Sequence, residues 1–133
     1  MMAANLLALT DRGPVLAFAH NSHLQRDRSS MQMGSMALRW WGAGAIVSAQ
    51  LGEQYAFLAT ALGTIRHQGV DTPPPDTLEG MLYAVPTDQF LIDPAGLAGV
   101  ALTPRVSPWY GYAPLDPAHL PTLDGIVFVK DAG

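Results

Sequence analysis

V-L-A-F-A-H-N-S-H-L-Q-R-D-R, Val15 to Arg28, decides how the rest of the chain is read. Its first five residues, Val15–Ala19, are wholly apolar. Two imidazoles, one amide and two guanidiniums (His20, His23, Asn21, Arg26, Arg28) then follow within nine positions. An apolar run that stops abruptly in polar groups has the pattern of a strand covered on both faces. In open parallel sheets the C-terminal end of such a strand faces the ligand crevice. Val15–Ala19 is therefore expected as a buried parallel strand, and the residues just after it as the site.

Upstream, Met1–Thr10 is rich in helix formers, and Asp11-Arg12-Gly13-Pro14 supplies a stop. No capping residue precedes this helix, so the natural element is expected to start further upstream. Downstream, the polar stretch Asn21–Gly34 reads as a long loop of the functional kind. A helix is expected from Ser35 to Leu51, with Ser35 as N-cap and Gly52 as C-terminal cap. Gly42 and Gly44 inside it point to close packing against a sheet.

A second strand is expected over Gln54–Ala61, and a loop over Thr64–Pro75. A short helix follows over Thr77–Val85, ending at Pro86, and Asp76 three residues before Glu79 has capping-box spacing. Strands are expected at Gln89–Ile92 and Gly125–Lys130, with Leu97–Leu102 undecided between strand and coil. Thr103–Pro121 contains five prolines and Trp109-Tyr110-Gly111-Tyr112, which fits an ordered aromatic loop and not a central strand. Strands alternating with helices give an α/β class: one domain over residues 1–133, with a mainly parallel sheet flanked by helices.

Composition narrows the function. The net charge is −4 with no basic stripe, so nucleic acid is not an expected partner. With no cysteine there is neither a disulfide framework nor a thiolate metal site. The N-terminus has no signal-peptide pattern, and the most apolar stretch, Trp40–Ala49, is too short for a membrane span. A cytoplasmic protein without membrane partners is expected.

His20 and His23 are the candidate catalytic pair. Imidazole titrates near neutral pH, so it can move a proton, hold a water or polarise a carbonyl. Structural histidines bonded to loop backbone have the same spacing. A metal needs a third ligand, and Asp93, Asp124, His67 and His119 fall in no recognisable ligand spacing. Arg26 and Arg28 can clamp an anion or simply stay solvated. Asp124 can orient a histidine or just close a turn. Trp109, Tyr110 and Tyr112 can wall a bulky ligand or form core under a loop. No G-x-S-x-G, phosphate loop or H-E-x-x-H is present.

The segment A-F-A-H-N-S-H-L-Q-R (17–26) resembles the A-H-N-x-H strand end of the erythromycin esterase family. M-G-S-M-A-L-R (33–39), L-G-E-Q-Y-A-F-L-A-T-A-L-G (51–63) and L-D-G-I-V-F-V-K (123–130) resemble the segments that follow it, in the same order. Family members are metal-independent hydrolases that open the macrolactone ester of macrolide antibiotics, which implies a part in antibiotic resistance, or act on unknown substrates. The resemblance implies an α/β domain matching the C-terminal third of a longer hydrolase. His20 and His23 become its catalytic histidines, and Asn21, Arg26, Trp109 and Tyr110 its substrate contacts. A small-molecule ester becomes the partner, with no cofactor. The family's usual general-base histidine belongs to an N-terminal segment with no counterpart here. Gly63 is followed by Thr64-Ile65-Arg66 where the family often has an acidic residue. A half-site of this kind leaves strand edges open to a second copy of the chain or to an N-terminal segment. Two other readings stay open: a non-catalytic binding or self-associating module, and a histidine metal or haem site.

Overall fold

The computed structural model describes residues 1–133, which divide into two units, Met1–Phe57 and Leu58–Gly133.

The first unit begins with helix α1 (Met2–Thr10), which ends in a turn at Asp11-Arg12-Gly13 and packs against a later helix. Pro14 to His20 then carry no regular secondary structure. Here the structure overturns the expected buried strand. Val15–Ala19 pairs with no other strand, and Leu16 and Phe18 are 98% and 99% exposed. An apolar sequence makes a strand only where a neighbour takes up its amides and carbonyls, and neither sheet supplies that neighbour.

His20 turns the chain into a single helical turn, α2 (Asn21–Leu24). Strands β1 (Ser29–Met33) and β2 (Met36–Trp40) follow as an antiparallel hairpin, where loop and helix were expected. Its two-residue turn is Gly34-Ser35, with Gly34 at φ +59°. Glycine first with positive φ is the turn that matches the twist of paired strands. Met31 pairs with Leu38 and Met33 with Met36 on one exposed face. A run apolar nearly all round carries no period that separates helix from strand, so the Gly-Ser turn was the better signal. The helix proper, α3 (Ala43–Leu51), begins after Gly42 and stops at Gly52, φ +56°.

The second unit is built on a three-stranded sheet of order β3-β5-β4, with β3 (Leu58–Thr64), β4 (Gln89–Ile92) and β5 (Gly125–Asp131). β3 and β5 are parallel, with Ala59 opposite Ile126 and Ala61 opposite Phe128. β4 and β5 are antiparallel, with Phe90 opposite Phe128. These residues share one face, and Ala59, Ala61, Ile126 and Phe128 are fully buried there. Helix α4 (Leu78–Tyr83) packs on β3 and buries Leu78 and Leu82. Its N-cap is Thr77, whose Oγ1 accepts the Gly80 amide at 3.0 Å, so the expected Asp76 cap is displaced by one residue.

The chain is thus mixed α and β, but the sheet is not mainly parallel: of three strand pairings, one is parallel. The hairpin occupies sequence that reads as loop and helix, and the long return from Ile92 to Gly125 brings β5 back antiparallel to β4. No helix is long and apolar enough to cross a membrane.

The close packing expected at Gly42 and Gly44 is present, but against α2. A Cβ on Gly42 would lie 2.6 Å from the Ser22 carbonyl oxygen, and one on Gly44 would lie 1.8 Å from that of Leu24. Gly44→Ala should therefore destabilise the unit, despite alanine's better helix propensity. Overpacking of this kind costs about 1–3 kcal/mol against at most about 1 kcal/mol gained. Urea unfolding of the two proteins measures the difference, and equal stability would contradict the packing described.

Candidate active site

The Pro14–His20 segment delivers His20 to the N-cap of α2 with φ −58° and ψ 144°, outside the helical region. N-caps are usually serine, threonine, aspartate or asparagine, whose side-chain oxygen accepts a first-turn amide. Here an imidazole does that work: the Ser22 amide donates to His20 Nδ1 at 3.2 Å, and Ser22 Oγ lies 3.0 Å from the same nitrogen. An amide can only donate, so Nδ1 carries the lone pair and the neutral ring carries its proton on Nε2. The cap thus turns His20 into an oriented N–H donor.

His23 sits one helical turn on, its amide bonded to the His20 carbonyl at 2.9 Å. The two rings are 6.4 Å apart between centroids and nearly perpendicular, at 80°. Asn21, half-buried, stands between them as the first residue of α2.

The turn is held through its carbonyls. Ser29, fully buried, donates from Oγ to the Ser22 carbonyl at 2.7 Å and accepts from Gln25 Nε2 at 3.0 Å. Tyr55 Oη donates to the Leu24 carbonyl. Arg26 Nη2 donates to the Tyr55 carbonyl at 2.6 Å, and its guanidinium lies 5.3 Å from the centre of the Tyr55 ring. The guanidinium of Arg26, expected as a substrate contact, is joined to the histidine turn through Tyr55. Tyr55 was not singled out in the sequence, where an aromatic residue before a strand carries no distinguishing signal.

The sequence-derived site residues divide between the two units. His20, Asn21, His23 and Arg26 come together in Met1–Phe57. Trp109 and Tyr110 belong to Leu58–Gly133. Trp109 packs beside Ile65, Val70 and Tyr112, and its amide is held by Ser107 Oγ at 3.2 Å. Tyr110 is 80% exposed. Asp124 stands exposed just before β5, and His67 Nδ1 contacts the Gly133 carbonyl oxygen at 3.1 Å. His119 Nε2 lies 3.7 Å from Asp116. No three histidine, aspartate or glutamate side chains gather in a metal-binding arrangement.

Desolvation, and after it the like charge of His23, hold His20 below the ordinary imidazole range. Protonation at Nδ1 would also break the cap. Because the folded state lowers this pKa, His20's contribution to stability is full above about pH 6.5 and is lost as pH falls below it. Proton NMR should show His20 titrating below about 6.5, and His23→Ala should raise its midpoint. A midpoint that stays put or drops in that variant would contradict the electrostatics described.

The family model for erythromycin esterase matches residues 1–130. No curated protein and no solved structure matches the chain. The A-H-N-x-H histidines therefore sit at an oriented, braced turn within a match that takes in nearly every residue, and the chain belongs to the erythromycin esterase family.

Proposed function

We propose that this protein hydrolyses carboxylic esters, macrolactones among them, with His20 and His23 at the reacting carbonyl. One observation supports this most: the Ser22 amide on His20 Nδ1 leaves a neutral ring presenting an Nε2–H. That group is suited to the negative charge that develops on an ester oxygen. Preorganised donors of this kind act without reorganisation at the moment of reaction.

In the proposed step a water oxygen bonds to the carbonyl carbon while its proton passes to a general base. The carbonyl π pair moves to oxygen, where His20 Nε2–H stabilises it. His23, on the same turn, holds the attacking water. The tetrahedral adduct then expels the alkoxide, which takes up the proton, leaving acid and alcohol. In a lactone both products stay in one opened molecule. The family resemblance assigns the general base to a different histidine, so charge stabilisation and water orientation are the roles proposed for this pair. Asn21 is proposed as a substrate contact near the histidine turn.

The test separates the donor from the cap. His20→Ser keeps a good N-cap and removes the imidazole. In the full-length product of the reading frame, assayed on a macrolactone, this variant should lose about 10²–10³ in kcat, the usual cost of one oxyanion donor. A wild-type rate in a folded His20→Ser protein would overturn the assignment.

A further inference from the structure

Glu79 is the one buried side chain that the proposed hydrolysis does not use and that packing alone does not explain. It lies on α4 and is 0% exposed. Its Oε1 accepts two hydrogen bonds, from Tyr112 Oη at 3.1 Å and from the Leu115 amide at 3.1 Å. Its Oε2 is buried with no partner. Both donors belong to Thr103–Pro121, the proline-rich aromatic segment, which is also tied to its surroundings by the Thr103 amide on the Asp76 carbonyl and by the Leu62 amide on Tyr112 Oη. Glu79 therefore ties that segment to α4.

The protonation state follows from the geometry. An ionised carboxylate would leave a buried anionic oxygen without a donor, far costlier than a neutral group left unpaired. The charged side chain facing it is Arg105, from the same segment. Arg105 spends its donors elsewhere: Nη1 on the Leu62 carbonyl at 2.7 Å, and Nη2 on those of Gly63 at 2.7 Å and Asp71 at 2.9 Å. Tyr112 is the other ionisable neighbour, and β3 contributes none. With two donors already on Oε1, the proton of the neutral acid belongs on Oε2. Burial is the dominant effect and raises the Glu79 pKa; its own backbone amide, the bonds from Leu115 and Tyr112 and the charge of Arg105 offset it in part.

We propose that Glu79 is a pH-sensitive latch: as the neutral acid it fixes Tyr112 and Leu115 to α4, and on losing its proton to solvent it releases the aromatic segment. The anion needs water at Oε2, and water enters only where Thr103–Pro121 lifts from the helix. Trp109 reports the event, because it packs beside Tyr112, Ile65 and Val70. The latch is independent of the hydrolysis proposed above.

The experiment follows Trp109 emission from pH 6 to 9 in the full chain carrying Trp40→Phe and Trp41→Phe, with far-UV circular dichroism in parallel. The expected result is a single-proton transition in Trp109 emission with the far-UV signal unchanged. Glu79→Gln, which cannot ionise, should abolish the transition. Tyr112→Phe removes a bond that only the closed form makes and should move the transition to lower pH by up to about one unit. This second variant keeps the test decisive if Glu79→Gln does not fold. A flat profile in the unmodified latch, an unchanged transition in Glu79→Gln, or an upward shift in Tyr112→Phe would overturn the proposal. So would loss of the far-UV signal in step with the emission.

Discussion

The bond from the Ser22 amide to His20 Nδ1 is the constraint on which the candidate site depends. It is one hydrogen bond of 3.2 Å, modest in energy, but it decides three things together. It caps α2, it fixes which ring nitrogen holds the proton, and it sets the direction in which the remaining N–H can point. A histidine free of that bond could take either tautomer, and its chemistry would be undefined. The same bond opposes protonation, because a proton on Nδ1 would remove the acceptor. Capping and chemistry therefore favour the same neutral state.

The rest of the Met1–Phe57 unit makes the turn rigid. A four-residue helical turn has little cooperativity of its own, so its geometry must come from neighbours. Ser29 holds the Ser22 carbonyl and Tyr55 the Leu24 carbonyl, while Arg26 joins Tyr55 to the turn. Gly42 and Gly44 let α3 lie against the turn's backbone closely enough to exclude a Cβ. Groups that must act at a reacting carbonyl benefit from such support, since small misplacements weaken positioned catalysis strongly.

What the sequence made legible, and what it hid, follows from the range of the forces involved. β4 and the last strand were readable because their apolar runs are bounded by turn residues, and α4 because Pro86 ends it. The histidine pair stands out by its spacing, but the helical turn that carries it does not, since Asn21–Gly34 reads as loop. Val15–Ala19 was misread because composition records whether residues can enter a sheet, and pairing depends on a neighbour elsewhere. The hairpin over 29–40 is hidden for two reasons: Ser29–Met33 is polar enough to read as loop, and the largely apolar run after Ser35 satisfies both helical and alternating periods. Glu79 was hidden more deeply. A glutamate at the third position after an aspartate looks like a capping-box partner, yet its side chain turns inward to Tyr112 and Leu115. Those partners lie 33 and 36 residues away, beyond the reach of any local pattern.

The most direct test of the central claim is the tautomer of His20. Two-bond nitrogen–proton correlation NMR of ring-labelled protein at pH 7.5 distinguishes the two neutral forms from each other and from the cation. The account predicts a neutral His20 with its proton on Nε2 and an unprotonated Nδ1. A proton on Nδ1, in the neutral or the charged ring, would show that the Ser22 amide does not cap through this nitrogen. The site described here would then lose its oriented donor.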